Sequence, residues 1–197
     1  IRETGPVDGL WQGVGAALVT LFDDEKTPNV DATAAHAVRM VEAGMRAVVV
    51  AGSTGEAALL TDTERVALLA AVREACPAVP VVAGASGEWW RPACDRVVAA
   101  VSAGADAVLV APPRNGDATR FFTNVAAAAG SVPVLAYHFP PGAGGEVPVE
   151  LLASLPVQGI KDSSGDPERL LRELEAWSGA TYVGAAMLAS YAGTVGA

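Results

Sequence analysis

Glu42-Ala-Gly-Met-Arg-Ala-Val-Val-Val-Ala51 returns later in the chain as Ser102-Ala-Gly-Ala-Asp-Ala-Val-Leu-Val-Ala111. Each copy reads as a helix end, a glycine turn and a short strand. The strand part is unbroken Val, Ala and Leu, so neither face is left for solvent. Similar apolar runs occur at residues 14–22, 81–84, 132–137, 159–161 and 182–184. Their spacing leaves room for one helix and two loops between strands, which predicts repeated βα units, a parallel sheet and right-handed crossovers.

Seven such units predict an α/β fold of the (β/α)8 (TIM) barrel type rather than a doubly wound sheet. The expected barrel is truncated near its eighth strand. Gly193-Thr-Val-Gly-Ala197 reads as the approach to that strand. Residues 1–12 are expected to be an N-terminal extension and 13–197 the barrel, with its C-terminal part outside the sequence, because seven parallel strands alone leave two edges unpaired.

Helix signals fall between the strands. Asp31 is placed to cap a helix carrying Ala34, Val38 and Val41 and ending at Gly44. Thr61-Asp-Thr-Glu64 forms a capping box ahead of an apolar stretch, with Pro77 beyond it. Pro92 suits the first turn of a helix running to Ser102. Asp166-Pro-Glu-Arg169 opens another, with Leu170, Leu171 and Leu174 on one face and Trp177 near its end.

Composition narrows the function. The 197 residues are 51% apolar and 18% charged, as in a folded domain. No apolar run approaches the roughly 20 residues of a membrane span, and the N-terminus lacks the layout of a secretory signal. A net charge of −9 argues against nucleic acid and against an anionic membrane surface. Cys76 and Cys94 are too few for a disulfide framework and too isolated for a zinc site, so two reduced thiols and a cytoplasmic location are expected. Neither His36 nor His138 has metal-ligand spacing, and no metal is expected. Of 13 basic residues only Lys26 and Lys161 are lysines.

Lys161 lies at the C-terminal end of the sixth predicted strand, the end at which barrel enzymes place their chemistry. An amine against apolar walls loses solvation of its charged form, and the free amine is a nucleophile towards ketones. The competing reading is a lysine that extends to the rim or pairs with Asp162. Gly52-Ser-Thr-Gly-Glu56 follows the second strand, and its glycines would let backbone donors turn inward as an anion nest. Glu56 is either a base or a structural residue of that loop. Gly142-Ala-Gly-Gly145 is a weak phosphate-loop candidate because it does not join a strand to a helix in the required way. Trp89-Trp90 would line the barrel mouth or a subunit contact.

Four segments, in order, resemble the dihydrodipicolinate synthase / N-acetylneuraminate lyase family of class I aldolases. Gly159-Ile-Lys-Asp-Ser-Ser-Gly-Asp166 resembles its Schiff-base strand, Gly52-Ser-Thr-Gly-Glu56 its G-T-T-G-E loop, Tyr137-His-Phe-Pro140 its Y-N-x-P motif, and Ala16-Ala-Leu-Val-Thr-Leu-Phe22 its first strand. The resemblance implies that Lys161 forms an imine with pyruvate or a related 2-oxo acid and that Tyr137 relays protons. It implies that Ser53 and Thr54, with Gly52, hold the substrate carboxylate, that Thr54 bonds Tyr137, and that an aldehyde is the second reactant. The iminium serves as electron sink, so no metal or organic cofactor is implied. The family's usual tetramer implies a homo-oligomer, tetramer or dimer.

Three departures bear on the substrate. The arginine that follows Y-N-x-P in dihydrodipicolinate synthases, where it binds the second substrate's carboxylate, is Gly142 here. The tyrosines after the fourth strand are Pro113 and Arg114, and the acidic pair after the seventh is Ala185 and Ala186. A general 2-oxo acid aldolase is therefore the leading expectation. A 4-hydroxy-tetrahydrodipicolinate synthase using Arg114, and a catalytically silent barrel that binds a 2-oxo acid, are the alternatives.

Overall fold

The structure, a computed structural model, describes residues 10–197. Seven strands are present among them: β1 (Gly15–Ala17), β2 (Ala47–Val50), β3 (Val81–Gly84), β4 (Ala107–Val110), β5 (Val134–His138), β6 (Gly159–Asp162) and β7 (Ala180–Val183). They form one sheet in sequential order, every neighbour parallel. Six α-helices alternate with them: α1 (Val30–Glu42), α2 (Asp62–Ala75), α3 (Trp90–Ser102), α4 (Ala118–Ala129), α5 (Pro167–Ala176) and α6 (Ala189–Val195). This is the strand and helix order of a TIM barrel.

The continuous apolar strands have the cause their sequence suggested. Val48, Val50, Val81, Ala83, Val108, Val110, Val134, Ala136 and Ile160 face the helices and join the outer core. The residues between them, Val49, Val82, Leu109, Leu135 and Tyr137, form a second core inside the barrel. Leu10 and Trp11, from the segment read as an extension, also pack into that inner core. Trp11 stacks on Tyr182 of β7 with ring centroids 4.2 Å apart, so the chain before β1 meets the last strand.

The repeat is geometrical as well as sequential. Ala43, Gly44 and Met45 N–H donate to Arg39, Val41 and Met40 carbonyls, and Ala103, Gly104 and Ala105 donate to Ala99, Val101 and Ala100. Both glycines are left-handed, at φ +100° and +89°, a conformation glycine adopts without a Cβ penalty.

Three local expectations change. Asn29, not Asp31, caps α1: its side chain accepts from Ala32 N–H, and Asp31 sits in the first turn, where its charge suits the helix dipole. The crossover from β5 to β6 holds only a 3-10 turn, Val149–Ser154. Residues 193–195 belong to α6, which ends at left-handed Gly196, and no eighth strand occurs among the described residues. The Thr61–Glu64 capping box and the Asp166 cap with Pro167 in the first turn are both formed. Helix α4 is capped by Asp117, whose side chain accepts from Arg120 N–H, and is buried through Phe121 and Phe122. Among the described residues no helix is long and apolar enough to cross a membrane.

Candidate active site

Lys161 is in register with Tyr137 on β5 and Tyr182 on β7. Residues in register on parallel neighbours project to the same face, so the three side chains enter the barrel interior side by side. Lys161 is partly buried. Its Nζ lies 4.7 Å from the centroid of the Tyr137 ring, within cation–π range. A side chain at Gly184, just past β7, would overlap Ser163 and come within 3.0 Å of Lys161 Cε. The empty space at Gly184 is therefore where the lysine stem runs.

The two tyrosines differ in their bonding. Tyr182 Oη donates to the Trp11 carbonyl at 2.7 Å and accepts from Trp11 N–H at 3.1 Å. Burial pushes its phenol pKa up. This hydroxyl is committed to structure. Tyr137 makes no side-chain hydrogen bond among the described residues, and its ring stacks on Phe139 at 6.1 Å. Its hydroxyl is uncommitted among the described residues. Tyr182 is hard to single out from sequence, because its place beside Lys161 depends on strand register.

Gly52, Ser53 and Thr54 follow β2 at the same end of the sheet, with Ser53 and Thr54 exposed. The loop folds back on itself. Gly55 and Ala57 N–H donate to the Gly52 carbonyl and Glu56 N–H to the Ser53 carbonyl. Ser53 and Thr54 N–H donate to nothing among the described residues, which leaves two adjacent donors for an anion. The loop's left-handed residues are Ala51 and Glu56, at φ +52° and +55°, rather than its glycines. Gly55 is needed for close packing: a Cβ there would lie 2.9 Å from the Leu18 carbonyl. Gly84 on β3 has the same function, since a Cβ would overlap the Ala51 carbonyl. Buried Thr20 fastens the loop by donating to the Gly55 carbonyl at 2.7 Å. A hydroxyl inside an otherwise apolar run was the available sequence signal for Thr20. The Thr54–Tyr137 hydrogen bond implied by resemblance is not formed among the described residues.

A sequence model described as the dihydrodipicolinate synthetase family matches residues 10–196. The chain belongs to this family. An uncharacterized DapA-like lyase of Halobacterium salinarum is 36% identical over 180 residues, 87% of this chain and 59% of that protein. A 4-hydroxy-tetrahydrodipicolinate synthase of Methanopyrus kandleri is 34% identical over 177 residues, 83% and 58% of the two chains. The chain thus spans about three fifths of the length of these curated relatives. Among solved structures, a dihydrodipicolinate synthase from Bacillus anthracis superposes with a TM-score of 0.86 at 28% identity, over 93% of this chain and 67% of that one. A chloride-inhibited dihydrodipicolinate synthase from Acinetobacter baumannii complexed with pyruvate gives 0.82 at 26%, over 94% and 68%.

Where this family member departs from the dihydrodipicolinate synthase motifs, packing gives the reason. A Cβ at Gly142 would lie 3.0 Å from Phe139 Cδ1 and overlap Cε1, so the Phe139 ring occupies the space an arginine stem would need. Arg114 reaches across from the β4 loop and donates to the Pro140 carbonyl at 2.8 Å. Gly144 and Gly145 press against the Pro112 and Pro113 carbonyls, and Gly145 N–H donates to Pro112 at 2.6 Å. The 142–145 glycines therefore join two loops and form no phosphate cradle. Glu56 is exposed, left-handed and placed at the start of a 3-10 turn, which suits the structural reading. Trp90 packs on the outer core, while Trp89 is 47% exposed with Arg91 over its ring.

Behind the site, on the helix side of β6, lies a buried ionic cluster. Asp162 is 2% exposed and Glu173 fully buried, with Arg169 between them. Arg169 Nη2 is 2.9 Å from Glu173 Oε1 and Nε is 3.7 Å from Asp162 Oδ2. Burial and the neighbouring Asp162 raise the Glu173 pKa to about 7 against the pull of Arg169. Burial lowers that of His138, whose Nδ1 accepts from Val147 N–H at 3.1 Å.

Proposed function

We propose that this chain carries the Schiff-base site of a class I aldolase, a lyase that makes or cleaves a C–C bond between pyruvate, or a related 2-oxo acid, and an aldehyde. The observation that carries the reading is the contact between Lys161 and Tyr137 at the C-terminal ends of adjacent strands. The Lys161 amine adds to the C2 carbonyl, and the carbinolamine loses water as Tyr137 hands a proton to the departing hydroxyl. The resulting iminium withdraws electrons from C3, which loses a proton and then attacks the aldehyde carbonyl; cleavage runs the same steps backwards. Gly52, Ser53 and Thr54 hold the 2-oxo acid's carboxylate through the free N–H groups and hydroxyls of their loop. The pyruvate-bound Acinetobacter relative supports pyruvate as the first reactant. No organic cofactor or metal enters these steps, and a cytoplasmic homo-oligomer is the assembly proposed.

Borohydride reduction in the presence of pyruvate, followed by intact mass measurement and peptide mapping, tests the reading. The expected result is one stable adduct on Lys161, lost in Lys161→Ala. Trapping retained in that variant overturns it. Pyruvate binding without adduct favours a silent 2-oxo acid-binding barrel. The names of several curated relatives favour a second reading, 4-hydroxy-tetrahydrodipicolinate synthase. Turnover of pyruvate with aspartate semialdehyde would select it. The Phe139-filled space at Gly142 argues for an aldehyde that lacks the carboxylate an arginine there would bind.

A further inference from the structure

Asp162 follows Lys161 in β6, and strand alternation points the two side chains to opposite faces. Lys161 enters the barrel and Asp162 enters the helix layer. Asp162 anchors the strand end: Oδ1 accepts from Ser164 N–H and Oδ2 from Ser164 Oγ, both at 2.8 Å. Its register partner is buried His138, one residue past Tyr137, and Ser163 N–H donates to the His138 carbonyl at 2.9 Å. Any shift of Asp162 therefore moves the backbone from which both Lys161 and Tyr137 project.

Arg169 holds this corner from α5. Its Nη2 donates to the Val147 carbonyl at 2.7 Å. The Val147 N–H in turn donates to His138. One guanidinium thus links α5, the segment before the 3-10 turn, and the end of β6. It must also serve two carboxylates. Among the described residues neither Glu173 oxygen has a hydrogen-bond donor of good geometry and Arg169 Nε has no acceptor, although all three atoms are buried. A buried carboxylate in this condition is costly, and removing its partner would leave the charge uncompensated.

We propose that Arg169 is a positioning residue for Lys161, and that the proton on Glu173 sets how firmly Arg169 holds Asp162. This rests on the aldolase reading above. With Glu173 neutral, the guanidinium charge is committed to Asp162 and the β6 end is held. With Glu173 ionised, the guanidinium is drawn along α5 towards the second carboxylate and its hold on Asp162 loosens. Burial and Asp162 place this titration near neutrality. Among the described residues, Glu146, next to Val147, adds its charge to those of Arg169 and Asp162 at His138. His138 on β5 is buried with its Nδ1 accepting, Glu150 on the 3-10 turn is exposed and paired with Arg172, and β7 presents buried Thr181 to the Trp177 indole.

The test compares wild type, Glu173→Gln and Arg169→Lys by the rate of borohydride-trapped pyruvate adduct formation between pH 6 and pH 8.5, at several pyruvate concentrations. Gln mimics the neutral carboxyl at every pH. Its rate should match wild type at pH 6 and exceed it about threefold or more at pH 8, with the pyruvate half-saturation unchanged, because the loop proposed to hold the carboxylate follows β2 and not β6. Arg169→Lys keeps the charge but cannot span Asp162, Glu173 and Val147 together, and should be slower by about tenfold throughout. Parallel wild-type and Glu173→Gln profiles, or a change confined to half-saturation, overturn the proposal while leaving the aldolase reading intact. Absence of any adduct in wild type overturns both. Glu173→Gln is close to isosteric, so the outcome stands even if Arg169→Lys fails to fold.

Discussion

Replacing Glu173 by Gln should stabilise the protein, increasingly so as pH rises. The carboxyl has no exposure and its pKa is raised from 4.5 to about 7. The folded state therefore retains a proton that the unfolded state has already lost. Its contribution is intact below about pH 4.5, falls as pH rises from there through about 7, and is flat above. A displacement of about 2.5 units at about 1.36 kcal/mol each gives a wild-type penalty of about 3 kcal/mol at pH 8. Gln carries no charge and escapes it. In a domain of this size that corresponds to a rise in Tm of roughly 6–12 °C at pH 8 and close to none at pH 4.5. Urea denaturation of both proteins at half-unit pH steps measures the difference directly. Buried His138 acts in the opposite sense, since its lowered pKa adds stability that is lost as pH falls below its ordinary value. That contribution is common to both proteins and cancels in the difference. If the Arg169–Glu173 ion pair were net stabilising, Glu173→Gln would weaken the protein at pH 8. That sign, or a difference that does not change with pH, would refute the reasoning.

Other outcomes separate chemistry from structure. Tyr137→Phe should slow pyruvate trapping by about 10²–10⁴-fold with little change in melting temperature. Tyr182→Phe should cost about 1–2 kcal/mol in denaturant unfolding, through loss of both bonds to Trp11, and leave trapping in place. Gly184→Ala should cut the trapping rate, because the added methyl meets Lys161 Cε and Ser163; an unchanged rate would show that the lysine stem has other room. Thr61→Ala, which removes the α2 capping box, should lower stability by about 1 kcal/mol in urea titration and leave trapping unaltered.

Much of the proposed site is legible in the sequence. Lys161, Tyr137 and the 52–56 loop stand out because lysine is scarce, because barrels place reactive groups at strand ends, and because motifs occur in a fixed order. The roles of neighbouring residues were harder to see. Glycine in the 52–56 loop suggested left-handed backbone, yet Ala51 and Glu56 carry that conformation while Gly55 and Gly84 permit close approach. Distinguishing a dihedral requirement from a packing one needs the neighbour across the gap, and that neighbour is distant in sequence.

Local composition by itself determined the βα order, the buried strands and the helix caps at Thr61 and Asp166, because periodicity and capping act over a few residues. It also singled out Lys161, the nucleophile proposed above. Only the tertiary structure decided which tyrosine is free, since Tyr182 is held by Trp11 from the other end of the chain. It alone placed Arg169 between two buried carboxylates behind Lys161. Both depend on strand register and on which face of a helix meets the sheet, and those are set by long-range packing rather than by any short stretch of chain.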